Sequence, residues 1–263
     1  MTTVALILAA GFGSRLRPLT DARPKCMVEL AGKTVLARQL SVLQASKIDR
    51  VAIVLGHGAQ SVDARGLNLQ VFENPDYSST NMVESLMRAR ALFDGKSDVI
   101  VSYGDIVYER RVLSAVLADR HAISVAVDRR WRQLWQLRME DPLSDAETMR
   151  FDTDGRIVEL GKKPRSLDEI QGQYMGLFRI RADVARAVMA FHDGLDRSRR
   201  YDGRDVPNMF MTSFIQALID ARFDVGAAMV DGGWVEIDTL ADLERYDGLA
   251  QAGRLVEYYD DRN

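Results

Sequence analysis

Residues 8–25 read Leu8-Ala-Ala-Gly-Phe-Gly-Ser-Arg-Leu-Arg-Pro-Leu-Thr-Asp-Ala-Arg-Pro-Lys25. The apolar run Thr3-Val-Ala-Leu-Ile-Leu-Ala9 feeds directly into this stretch. A short, uninterrupted apolar run is the pattern of a strand covered on both faces. Gly11 and Gly13 then let backbone N–H groups approach an anion that a Cβ would hold off. Arg15 and Arg17 add charge, and Lys25 brings a compact ammonium on a flexible stem. Four basic residues (Arg15, Arg17, Arg23, Lys25) against one acid (Asp21) give residues 11–25 a balance of +3. That makes a phosphate cradle. The loop lacks the third glycine of a dinucleotide fingerprint. Gly32-Lys33-Thr34 has the tail of a Walker A loop, but Met27 stands where its first glycine is needed, so it reads as a turn and helix start.

Outward from the loop, the first half alternates as βαβ units do, which predicts a parallel sheet. A helix is expected over 34–46, a strand over 50–55, a short strand over 67–73 and a helix over 81–93. Asp98-Val-Ile-Val-Ser102 then runs as a strand into Tyr103-Gly104-Asp105, with the carboxylate just past its end. In the second half, strands are expected at 122–128 and 174–180. A hairpin at 148–160 turns at Asp154-Gly155. Helices are expected over 182–195 and 207–222. A pair of strands at 225–230 and 234–237 precedes a last helix that starts at Asp238-Thr239. No repeat or linker interrupts the chain. It reads as a single domain over 1–263, with a nucleotide-binding half to about 120 and an acceptor-binding half from about 121.

The chain has 263 residues, 35 Lys plus Arg against 38 Asp plus Glu, and a net charge of −3. This excludes broad coating of nucleic acid. The single cysteine, Cys26, excludes an internal disulfide. No apolar run reaches the roughly 20 residues of a membrane span, and the N-terminus lacks a basic leader region. A cytoplasmic protein without nucleic-acid or membrane partners is expected, and a homodimer is compatible with the chain. His57, His121 and His192 are scattered and carry no assignable role.

The loop resembles the signature of the sugar-1-phosphate nucleotidyltransferase superfamily. Thr80-Asn-Met-Val-Glu-Ser-Leu86, Asp141-Pro-Leu-Ser-Asp-Ala-Glu-Thr148, Gly161-Lys-Lys-Pro164, Gln173-Tyr-Met-Gly-Leu-Phe178 and Trp234-Val-Glu-Ile-Asp238 resemble its cytidylyltransferase branch. That branch includes phosphocholine, aminoethylphosphonate and phosphoglutamine enzymes. The middle and C-terminal segments look closest to the phosphoglutamine type of capsule phosphoramidate synthesis.

The resemblance implies an α/β fold of the nucleotide-diphospho-sugar transferase kind. Its central sheet would be mixed and mostly parallel, with flanking helices and an antiparallel acceptor-binding half. It implies CMP transfer from CTP to the phosphate or phosphonate of a small acceptor, with release of pyrophosphate. Arg15 and Lys25 would neutralise the triphosphate. Ala9, Ala10, Gly11, Gly13, Asn81 and Ser85 would hold the nucleotide. Asp105 and Asp238 would hold Mg²⁺, which favours one or two carboxylates completed by phosphate oxygens and water. Plainer roles exist for Asp105 (an Asx turn) and for Asn81 and Asp238 (helix caps).

Lys163 matches the family lysine on the acceptor phosphate. Lys162 replaces the acidic residue that usually precedes it, so which lysine faces the site stays open. Aromatic candidates for the acceptor pocket are Trp131, Trp135, Tyr174, Phe178, Tyr201 and Trp234. Arg129, Arg130, Arg132 and Arg138 beside the tryptophans point to an acceptor that carries a carboxylate. Asp145, Glu147, Asp168 and Glu169 could receive an amine but read as solvated charges. Two alternatives remain: a sugar-1-phosphate nucleotidyltransferase using UTP, GTP or dTTP, and a nucleotide-binding regulatory module of the same fold.

Overall fold

The computed structural model describes Thr2–Arg262. In chain order its strands are β1 (Thr2–Ala9), β2 (Glu29–Leu30), β3 (Lys33–Thr34), β4 (Arg50–Leu55), β5 (Gln70–Glu73), β6 (Ser97–Tyr103) and β7 (Ile106–Tyr108). They continue with β8 (Ile123–Asp128), β9 (Met149–Phe151), β10 (Ile157–Leu160), β11 (Gln173–Ile180), β12 (Val225–Val230) and β13 (Trp234–Glu236). The α-helices are α1 (Val35–Ala45), α2 (Met82–Arg88), α3 (Arg110–Ala118), α4 (Trp131–Arg138), α5 (Ala182–Asp193), α6 (Met211–Asp220) and α7 (Leu240–Gln251).

Seven strands form the central sheet in the order β12-β8-β11-β6-β1-β4-β5. β1 pairs in parallel with β4 and β6, β4 with β5, and β8 with β12. Only β11 runs against its neighbours β6 and β8. The sheet is therefore mixed and mostly parallel, as the resemblance implies. Among the described residues the antiparallel pairing of the second half comes from β11, the β9–β10 hairpin and the β7–β13 ribbon, with isolated bridges at Arg156–Gly226 and Tyr201–Arg204. The strands read as a pair at 225–237 part company, β12 joining β8 and β13 joining β7.

The side chains of β1 alternate between two cores, one on each face of the sheet. Ala5, Ile7 and Ala9 enter one; Val4, Leu6 and Leu8 enter the other. Burial on both faces explains why the sequence shows a continuous apolar run and not an alternating one. Local chemistry fixes the element ends. Thr34 caps α1 through its hydroxyl, which accepts from Ala37 N–H at 3.1 Å. Asn68 takes a positive φ of 53°, and β5 begins only at Gln70, later than the apolar spacing suggests. α2 ends at Arg88 and the chain tightens into a 3₁₀ turn at Arg90–Leu92. Thr239 and Asp242 form a reciprocal capping box at the start of α7. Among the described residues no helix is long and apolar enough to cross a membrane.

Candidate active site

The Gly-rich loop leaves the carboxyl end of β1, and Asp105 leaves that of the adjacent β6. Leu8 and Tyr103 are register partners, and Gly104 N–H donates to Leu8 O at 2.9 Å. In open α/β sheets this is where ligands bind. Asp238 arrives from the far end of the chain on the β7–β13 ribbon. There Glu236 pairs with Ile106, and Ile237 N–H donates to Asp105 O at 2.9 Å. The capping of α7 falls to Thr239, so the Asp238 carboxylate is free for another task.

That task is visible in the side chains. Lys25 Nζ lies 3.0 Å from Asp105 Oδ2 and 2.5 Å from Asp238 Oδ1. Arg15 takes the other Asp238 oxygen at 2.5 Å. Burial alone would lower the Lys25 pKa, but the two carboxylates outweigh it and hold the ammonium charged well beyond its usual range. Asp105 Oδ1 is buried without a hydrogen-bond partner. A cavity of about 270 Å³ opens beside this cluster. Its wall includes every residue expected to hold the nucleotide: Ala9, Ala10, Gly11, Gly13, Asn81 and Ser85. Arg15, Lys25 and Asp105 line it as well. Asn81 also caps α2, its Oδ1 accepting from Met82 N–H at 2.8 Å, so cap and cavity wall coexist in one residue. Ser85 is held by Asn74 Nδ2 at 3.0 Å.

A second cavity of about 230 Å³ continues from the first, sharing Asn81, Met82 and Tyr103 as wall. Trp135, Tyr174, Trp234, Glu147 and Glu236 line it.

The sequence pattern of the MobA-like NTP transferase domain matches residues 5–201. The chain belongs to that nucleotidyltransferase family. It is 41% identical over 248 residues to a CTP:phosphoglutamine cytidylyltransferase of Campylobacter jejuni, covering 91% of this chain and 97% of that one. Its fold is similar to the inositol-1-phosphate CTP transferase of T. maritima, with a TM-score of 0.73 and 19% identity. That match covers 98% of each chain. It is also similar to CTP:phosphocholine cytidylyltransferase of Streptococcus pneumoniae, with a TM-score of 0.71 and 18% identity. There the coverage is 95% of this chain and 100% of that one.

Within this nucleotidyltransferase the acceptor residues expected from sequence fall into three groups. Trp135, Tyr174 and Trp234 line the second cavity. Trp131 and Phe178 do not; both are core residues, 2% and 1% exposed, and Trp131 packs edge-on against Trp135. Tyr201, Lys162 and Lys163 also lie outside both cavities. Lys162 pairs with Asp202 at 2.8 Å, and Lys163 donates to the carbonyls of Leu143 and Ser144.

The arginines do not play the part their crowding in the sequence suggests, because none of them reaches the cavity wall. Arg129 is bidentate on Asp231 at 2.9 and 2.7 Å, Arg130 bonds Gln133, and Arg132 lies by Leu167 O. Arg138 is buried between Glu236 at 2.7 Å and Asp242 at 3.2 Å.

Several wall residues escape sequence reasoning. Tyr77 lies in a segment without periodicity, Thr80 opens the family-like segment 80–86 without a role of its own, and Tyr103 reads as a strand end. His57, without an assignable role in the sequence, holds the loop: its Nε2 lies 2.7 Å from Thr20 O, while Thr20 Oγ1 donates to Gly13 O. Phe12 packs edge-on against Tyr77, ring centroids 5.1 Å apart, at the mouth of the first cavity.

Proposed function

We propose that the protein transfers CMP from CTP to the phosphate or phosphonate of a small acceptor, releasing pyrophosphate. The observation that carries this reading is the meeting of Lys25, Asp105, Asp238 and Arg15 at the end of the Gly-rich cavity. CTP and a phosphoglutamine-like acceptor follow from the 41% identical relative. An acceptor oxygen attacks the α-phosphorus, and the bond to the β-phosphate bridging oxygen breaks. That nucleophile is already an anion near neutral pH, so no strong base is needed. Positioning and charge neutralisation then carry the catalysis. Backbone N–H groups at Gly11 and Gly13 cradle the triphosphate, and Arg15 and Lys25 balance its charge.

Mg²⁺ fits the donor set. Asp105 and Asp238 present two carboxylates to one point, and Asp105 Oδ1 has no other partner. Two carboxylates suit a metal whose coordination substrate oxygens and water would complete. When bound, Mg²⁺ supplies charge neutralisation at the phosphates. We place the enzyme in the cytoplasm, making activated head groups for surface polysaccharide, lipid or phosphonate decoration.

The test is pyrophosphate release with each of CTP, UTP, GTP and dTTP against phosphoglutamine, phosphocholine, aminoethylphosphonate, glycerol phosphate and sugar 1-phosphates. CTP is expected to be preferred, and Asp105→Asn to cut turnover at least about a hundredfold with the fold retained. Turnover with only a purine nucleotide, or with dTTP and a sugar 1-phosphate, overturns the reading.

A further inference from the structure

The turn that carries Asp105 is held from three sides. Gly104 N–H donates to Leu8 O in β1 at 2.9 Å, and Ile237 N–H donates to Asp105 O at 2.9 Å. A Cβ on Gly104 would come within 2.8 Å of Leu8 O, so the turn lies tight against β1. The third side is a side chain. Gln39 Nε2 donates to Tyr103 O at 2.8 Å and to Ile106 O at 2.7 Å, the carbonyls on either side of Gly104-Asp105. Its Oε1 accepts from Ser102 Oγ at 3.1 Å. Two carbonyl oxygens need N–H donors, so this orientation of the amide satisfies all three contacts.

Gln39 is out of character for its position. It is 1% exposed and lies on the inward stripe of α1 with Val35, Val42 and Leu43. That helix packs beside β7. An apolar residue would fill the stripe without needing partners, whereas a buried amide is costly unless its hydrogen bonds are made. The three side-chain hydrogen bonds of Gln39 all go to residues 102–106. The amide therefore serves the turn and not the helix. Asp105 Oδ2 faces Lys25 at 3.0 Å, while Oδ1 is buried without a hydrogen-bond partner. The aim of the carboxylate thus depends on the backbone beneath it.

We propose that Gln39 is a positioning residue: its amide locks the 103–106 turn and so fixes where the Asp105 carboxylate points. The proposal rests on the nucleotidyl-transfer reading, in which Asp105 serves Mg²⁺ and faces Lys25. A small shift of the turn leaves the Gly11–Gly13 cradle in place, because that loop springs from β1. It misplaces one of two carboxylates, and Mg²⁺ demands near-ideal geometry. The loss falls on kcat and on the Mg²⁺ requirement, and not on the KM for CTP.

The experiment compares wild type with two variants. Gln39→Met keeps the length of the side chain and loses its hydrogen bonds. Gln39→Glu carries a buried carboxyl that stays neutral and donates one O–H. In CTP-dependent pyrophosphate release, Gln39→Met is expected to lower kcat at least about tenfold and to raise the Mg²⁺ concentration for half-maximal turnover at least about threefold. Its KM for CTP stays within about twofold of wild type, and Gln39→Glu lies between the two. Amide hydrogen exchange needs neither metal nor nucleotide. In Gln39→Met the Gly104 and Ile237 amides should exchange at least about tenfold faster, while the amides of α1 keep their wild-type protection.

A lower melting temperature with unchanged kcat and Mg²⁺ requirement gives Gln39 a packing role only and overturns the proposal. Unchanged exchange at Gly104 and Ile237, or exchange raised equally along α1, overturns it too. If wild type shows no CTP-dependent turnover with any acceptor, the cytidylyltransferase reading fails by itself, and the exchange arm decides whether Gln39 locks the turn. If Gln39→Met does not fold, Gln39→Glu carries the same comparisons: a lowered kcat with an unchanged KM for CTP upholds the proposal, and a wild-type kcat overturns it.

Discussion

The ammonium of Lys25 lies 2.5 Å from the carboxylate of Asp238, 213 residues further along the chain, and the same nitrogen reaches Asp105 at 3.0 Å. Lys25 thus stands where two carboxylates converge, at the wall of the loop cavity. A triphosphate entering there offers Lys25 a competing set of oxygens and leaves the aspartates for a cation. Lys25→Ala is expected to lower turnover at least about a hundredfold while circular dichroism keeps its wild-type shape. The same variant should bind Mg²⁺ more tightly than wild type when no nucleotide is present, measured by calorimetry, because no ammonium competes for the aspartates. Near-normal turnover, or weaker metal binding, would contradict this role.

The two loop glycines separate fold from ligand. A Cβ built on Gly11 meets no atom within 4 Å beyond its chain neighbours, so it would project into open space at the wall of the loop cavity. A Cβ on Gly13 would lie 2.6 Å from Lys25 Cγ, and its φ of 61° already disfavours a side chain. Gly11→Ala should therefore melt like wild type and raise the KM for CTP. Gly13→Ala should lower both the melting temperature and kcat, since it strains the loop and displaces Lys25. Thermal denaturation beside nucleotide titration distinguishes the two patterns; equal melting losses would refute the contrast.

How much of this is legible in the sequence depends on how local each feature is. β1, the glycines and Lys25 lie within one short stretch, so their chemistry can be read in place. The meeting of Asp105 with Asp238 cannot, because it depends on the pairing of two three-residue strands, β7 and β13. The resemblance supplied that pair where spacing could not.

The arginines around Trp131 show the opposite failure. Charge density suggests an anion site, but no guanidinium reaches the cavity wall: Arg129, Arg130 and Arg132 find partners outside the cavity, and Arg138 reaches the wall residue Glu236 and Asp242 behind it. Arg138 is turned inward because α4 lays it against Glu236 and Asp242. Glu147 was indistinguishable in sequence from its solvated neighbour Asp145. Only the packing of Tyr174 and Thr212 around the same cavity sets it apart.

Arg138 carries the next prediction. Its side chain is 1% exposed and faces two carboxylates, one of which, Asp242, is 4% exposed. Asp242 also accepts from the backbone N–H groups of Asp238 and Thr239, at 3.2 and 3.0 Å. Arg138→Met leaves both carboxylates without a cation and should destabilise the fold by about 3–5 kcal/mol. Adding Glu236→Gln should recover part of that loss, because one of the stranded charges is gone. Urea denaturation of the single and double variants measures both effects, and a single variant as stable as wild type would refute the account.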